Sequence, residues 1–272
     1  MHLAVNAKLF AKRYVVETDR ESYTISHAKA KCARRNLIPL KDNIPHRRFP
    51  WVNYSLILLN FLVFYHELTL PVEGFDRFIN TYAFVPARLS MEVSSMQTVG
   101  GINPLLTIFT STFLHAGWLH ILGNMLLLWI FGDNVEDALG HLAYLISYLA
   151  FGGIAGLAQY YVDPLSTLPN LGASGAIAGV LGFYLVLYPA ARVLTLVPLF
   201  IIFWLFRVPA VVFLIVWFML QTFSGVAVLE QQAIGSGVAY WAHIGGFVAG
   251  FGLGVIFRIF GKKASDGTFQ AR

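Results

Sequence analysis

Charge is what this chain has least of. Only 12% of its 272 residues are charged, 57% are hydrophobic, and the mean hydropathy is +0.65. A soluble domain could not hide that much apolar surface from water, so a polytopic membrane protein is expected. Cysteine is almost absent: Cys32 stands alone, which excludes an internal disulfide. Acids are missing from the apolar stretches of the second half, with no Asp or Glu in 142–162, 173–188, 207–224 or 240–260. That removes the paired aspartates of an intramembrane aspartyl mechanism and any acid that could hold a histidine there. No HExxH run occurs, and His115 and His120 are five apart, off the i, i+4 spacing of a helical metal pair, so neither a metal nor another cofactor is expected. No apolar stretch precedes residue 50, so no cleavable signal peptide is expected.

The charge that is present is lopsided. Of 19 Lys and Arg, 11 precede residue 51, against four acids there: Glu17, Asp19, Glu21 and Asp42. A basic segment ahead of a first span follows the positive-inside rule, with contact to anionic lipid, and implies no nucleic-acid partner. Residues 1–36 read as a basic, disordered cytoplasmic tail. LIPLKDNIPHRRFP then approaches the membrane, with Arg47 and Arg48 at its inner face. Six spans are expected: Trp51 to Leu68, Trp118 to Gly132, Leu142 to Val162, Ala173 to Tyr188, about 207–224, and Tyr240 to Phe260. Residues 69–116 read as an external loop seated partly in the bilayer face. The apolar run 193–206, short and interrupted by Pro198, reads as lying at the inner interface or as the start of the fifth helix. The fold class is therefore all-α, with a six-helix membrane domain over 37–263, a short tail over 264–272, and both termini cytoplasmic. The expected location is the bacterial cytoplasmic membrane. The oligomeric state is not legible.

Polar residues gather at one level of this bundle. Spans two, four and six run in the same direction, so their first residues share one depth: His120 and Asn124 on span two, Ser174 on span four, and His243 on span six. Gly175, Gly179 and Gly182 share a face of span four, and Gly246, Gly250 and Gly254 recur every four residues on span six. Small residues at that spacing let two membrane helices touch through their backbones, which would set His243 beside Ser174. A serine hydroxyl becomes a nucleophile when a neighbouring imidazole takes its proton. His120 and Asn124, four apart, could donate to an oxyanion together with the Ser174 N–H at a helix start. Each residue also has a packing explanation: Ser174 as an N-cap, His243 as a hydrogen-bonded core histidine, Asn124 as an interhelical bond. Their coincidence at one depth favours a nucleophile and base acting as a Ser-His dyad.

HILGN (His120 to Asn124), GASG (Gly172 to Gly175) and AHIGG (Ala242 to Gly246) occur in an order that resembles the rhomboid family of intramembrane serine proteases, over about Leu37 to Lys263. The resemblance implies a serine endopeptidase that cleaves transmembrane segments of single-span or polytopic membrane proteins near the outer face. It implies Ser174 as nucleophile, His243 as base, His120 and Asn124 as oxyanion side chains, and Glu136 in a structural role at the inner end of span two. It also implies that residues 1–36 are an upstream extension. Two departures stand out. The external loop lacks the Trp-Arg pair of many members, and Ala178 stands where some carry a tyrosine stacked on the histidine, which leaves Tyr240 or Trp241 to support the imidazole. The competing reading is a non-catalytic rhomboid-like protein that binds membrane clients.

Overall fold

Prolines mark where the first helices begin. A computed structural model describes residues 38–95, 102–199, 202–230 and 239–260. In it Pro50 precedes α1 (Trp51–Thr69), Pro71 precedes α2 (Val72–Tyr82), Pro86 opens α3 (Pro86–Ser95) and Pro104 opens α4 (Pro104–Thr110). Proline lacks an N–H that the first turn of a helix cannot use, and its fixed φ suits that turn. A 3₁₀ turn (Ser111–Phe113) leads to α5 (Trp118–Leu139), then α6 (His141–Val162), α7 (Ser174–Leu187), α8 (Ala210–Glu230) and α9 (Tyr240–Phe260). The segment expected as an external loop thus contains three short helices and a 3₁₀ turn. Helices of 11, 10 and 7 residues are too short for an apolar period to declare itself.

The protein is mostly helical, though the all-α expectation needs one correction. Strands β1 (Ile38–Lys41), β2 (Arg192–Leu199) and β3 (Ile202–Pro209) form an antiparallel sheet in that order. β2 and β3 pair without a break from Arg192 opposite Pro209 to Leu199 opposite Ile202. The run read as interfacial or as the start of the fifth helix is therefore a hairpin, and the fifth helix begins at Ala210, not near 207. A continuous apolar run has no alternation to distinguish strand from helix. The fifth helix also runs on to Glu230, past its expected end near 224. The tails 1–36 and 264–272, and residues 231–238, lie outside the described residues.

α6 and α9 are long and apolar enough to cross a bilayer, and the pair 104–113 and Trp118–Leu139, bent by 85°, passes the same test together. α5 runs to Leu139 and not to Gly132, because the three acids of DNVED find partners beyond the helix. Glu136 accepts the N–H groups of Val52 and Asn53 at 3.0 and 2.7 Å, capping the free first turn of α1, and its carboxylate also meets His141. Asp137 accepts the N–H groups of Arg47 and Arg48, and Asp133 meets His46 at 3.1 Å. Gly140, at φ +82°, then turns the chain directly into α6.

α7 sits at the centre, buried on every side from Gly175 to Val186. α1 presents Asn53, Leu56, Asn60, Phe64 and Glu67 inward at steps of three and four, leaving Leu58, Leu59 and Leu62 exposed. Polar side chains join the helices: Asn53 donates to the Leu128 carbonyl at 3.0 Å and accepts from the Tyr144 hydroxyl at 2.8 Å.

Beneath α7, Asp42 is buried and accepts from the Tyr184 hydroxyl at 2.5 Å and from Asn134 Nδ2 at 3.0 Å. Burial, offset in part by the Tyr184 bond, pushes its carboxyl up from 3.8 to about 6. The folded protein holds this proton more tightly than the unfolded chain does. Stability from Asp42 is therefore complete below the unfolded value and is lost as pH rises through about 6. Asp42→Asn, which keeps both hydrogen-bond acceptances, is expected to raise the melting temperature of the detergent-solubilised protein at about pH 7.5 and not at about pH 4. An equal change at both pH values would refute this.

Candidate active site

Ser174 is the first residue of α7, and the chain ahead of it is held from two sides. Asn170 and Phe84 exchange backbone hydrogen bonds at 2.7 and 3.2 Å, and Gly172 N–H donates to the Ser111 carbonyl at 2.9 Å. Gly172 has φ +116°, a conformation L side chains rarely adopt, and a Cβ there would lie 2.6 Å from His120 Nε2. Only glycine leaves room for the histidine.

His243 enters from the first turn of α9. Gly246 and Gly250 of α9 lie directly against the carbonyls of Gly175 and Gly179 of α7. The expected contact of spans four and six is present. The missing side chains of Gly175 and Gly179, however, make room for Ala155 and Phe151 of α6, not for α9. α7 is therefore clasped closely from both sides. The result is a contact of 2.6 Å between His243 Nε2 and Ser174 Oγ, with the histidine buried and the serine half-buried.

The other imidazole nitrogen decides the direction of that bond. His243 Nδ1 lies 2.7 Å from Gln221 Oε1 on α8. An amide oxygen only accepts, so Nδ1 carries the proton and Nε2 offers its lone pair to the serine hydroxyl. Sequence reasoning missed Gln221, which lies in an apolar helix with no partner visible nearby in the chain. Ala178 is fully buried and brings no ring to the histidine. Trp217 lies tilted with its centroid 6.0 Å from the imidazole, and Tyr240 meets it edge-on at 6.5 Å. Of the two supports expected, Tyr240 is in place; the indole N–H of Trp241 has no partner among the described residues.

His120 has the opposite tautomer. Its Nδ1 accepts from Ala116 N–H at 3.4 Å, which leaves the proton on Nε2, the atom facing Gly172. Asn124 is buried, and its Nδ2 has no partner among the described residues; it lies 3.6 Å from the place a Gly172 Cβ would occupy. Two donors thus converge on the backbone just ahead of Ser174, whose own N–H belongs to a helix turn without intrahelical acceptors. His120 is half-buried, whereas the buried Asn124 amide is a donor left unpaired among the described residues, where buried donors are ordinarily paired. His115 lies behind His120, its ring edge-on to that imidazole at 5.1 Å and its backbone N–H donating to Glu67. A recess of about 40 Å³, lined by Ser174, Gly172, Ser111, Thr112 and Gln159, adjoins the serine and has room for water.

All four residues singled out in the sequence meet here, on three helices far apart in the chain. Residues 103–260 match the Rhomboid domain family model. YdcA of Bacillus subtilis, whose name marks it as a candidate rhomboid protease, is 30% identical over 136 residues, covering 43% of this chain and 68% of its own. RHOMBOID-like protein 1 of Arabidopsis thaliana is 28% identical over 251 residues, 82% of this chain and 57% of the relative. Rhomboid protease GluP of Bacillus subtilis is 30% identical over 133 residues, 49% of this chain and 24% of the relative. The chain thus spans about half the length of the plant relative and a quarter of GluP.

Proposed function

The chain belongs to the rhomboid family of integral membrane proteins, and from that premise we propose that it is an intramembrane serine endopeptidase working through a Ser174–His243 dyad. The observation that carries this is the 2.6 Å contact of His243 Nε2 with Ser174 Oγ, with Nδ1 already satisfied by Gln221. Ser174 Oγ attacks the scissile carbonyl as its proton passes to His243 Nε2. The oxyanion takes hydrogen bonds from the Ser174 N–H, His120 Nε2–H and Asn124 Nδ2. The tetrahedral species collapses when His243 gives its proton to the departing amine, leaving an acyl-enzyme. Water from the recess, deprotonated by the same imidazole, releases the acid and restores the serine.

On this reading α1, α5, α6, α7, α8 and α9 are six spans with both termini inside, over a membrane domain of about 37–263, in a bacterial cytoplasmic membrane. α7 has 14 residues. At 1.5 Å per residue it covers about 21 Å of a hydrocarbon core about 30 Å thick, so its first residue lies below the outer surface. Irregular backbone at that depth is tolerable where protein surrounds it, as the buried α7 does here. Substrates would be transmembrane segments of other membrane proteins that unwind locally to expose a carbonyl.

The deciding experiment incubates purified protein and its Ser174→Ala variant with a labelled transmembrane substrate and a fluorophosphonate probe. Cleavage and labelling at Ser174 by the natural protein alone are expected; a natural protein that does neither would leave the non-catalytic client-binding reading. Asn124→Ala and His120→Ala are each expected to lower kcat by about 10²-fold with KM little changed, since these donors act on charge that develops only in the transition state.

A further inference from the structure

We infer that Gln221 is a positioning residue for the dyad, contributed by α8, so that the base is set for proton transfer only while α8 is docked. The inference rests on the endopeptidase reading and adds a condition to it. No acid lies in the apolar stretches around His243, so no carboxylate is available there to fix its tautomer. The Gln221 amide does this without charge, at 2.7 Å from Nδ1. With Nδ1–H donating to it, Nε2 is left as the acceptor that Ser174 needs. If the amide withdraws, the imidazole is free to turn and to carry its proton on Nε2, where it cannot take one from the serine.

α8 is attached unevenly. Its beginning is sealed into the core: Ala210 and Leu214 are fully buried, Phe213 nearly so, and Phe213 stacks on Phe131 at 6.2 Å. Further along, Val216, Met219, Leu220 and Phe223 are exposed, while Trp217 and Phe218 rest on Phe247 of α9 at 6.2 and 4.5 Å. Gln221 lies beyond those rings and provides a polar tether from this half of α8 to the catalytic imidazole. Among the described residues, this half of α8 rests on α9 through Trp217 and Phe218 and reaches the catalytic imidazole through Gln221, so a shift of this half of α8 would break the bond to Nδ1. Its return would re-form the bond to Nδ1.

The test compares Gln221→Leu and Gln221→Glu with the natural protein. Gln221→Leu is expected to lower kcat and the rate of fluorophosphonate labelling by about 10- to 100-fold with KM within about twofold, and Gln221→Glu, which keeps an acceptor oxygen, to recover most of the loss. In ¹⁵N-histidine spectra, assigned against a His243→Gln sample, Nδ1 of His243 is expected to be the protonated nitrogen in the natural protein and in Gln221→Glu. Gln221→Leu is expected to shift the proton toward Nε2. If Gln221→Leu labels at the natural rate, or keeps the natural tautomer, the inference fails while the dyad stands. If both variants lose rate equally with the tautomer unchanged, Gln221 is only a packing residue and the inference is overturned. A natural protein that neither cleaves nor labels removes the endopeptidase reading and this condition with it.

Discussion

Ser174→Ala and His243→Ala are each expected to lower kcat for transmembrane substrates by about 10⁴- to 10⁶-fold, and the double variant to lose little more than either. The two side chains act as one unit: the hydroxyl is a weak nucleophile without a base, and the imidazole has no proton to take without the hydroxyl. Their 2.6 Å contact already exists before any substrate arrives, so the loss should fall on kcat, with KM changed little. Residual turnover would come from the three oxyanion donors, which neither substitution removes. Measured initial rates for the two single variants and the double variant close the cycle. Losses that multiply would show that serine and histidine act separately and would contradict the dyad.

Gly250→Val is expected to destabilise the protein by at least about 3 kcal/mol, the upper range for overpacking, because the atoms in the way belong to backbone. A Cβ at residue 250 would press on the carbonyl of Gly179 and lie 2.7 Å from its Cα. No rotamer change can relieve that contact; α7 and α9 must separate. Separation also draws His243 from Ser174, and a displacement of about 1 Å can cost about 10²-fold in rate. Labelling per folded molecule should therefore fall even in the fraction that still folds. Gly252→Ala, two residues along the same helix with nothing within 4 Å, is the matched control and should keep both melting temperature and labelling. If Gly250→Val melts and labels like that control, the close contact of α7 and α9 is not what holds the site.

Much of this protein is determined by its sequence alone. The apolar runs of α1, α6, α7 and α9 are long and bounded by polar or turn residues, so their limits are readable to within two residues. The four site residues are readable too, since a polar group in an apolar run is costly and draws notice. Other features depend on partners distant in the chain. The hairpin 192–209 is apolar without alternation, and only the pairing of β2 with β1 and β3 makes it a strand pair. α5 extends through DNVED because Glu136 and Asp137 find the backbone of 47–53 more than eighty residues upstream. The space left by Gly175 and Gly179 goes to α6, a choice that four glycines at regular spacing cannot express. Gln221 is the clearest case: an amide in an apolar helix becomes the acceptor for the His243 imidazole only when α8 packs against α9. The sequence determined which groups could react, because burying them is costly enough to mark them. The tertiary structure decided which nitrogen of each histidine holds the proton, because that depends on a partner supplied by another part of the fold.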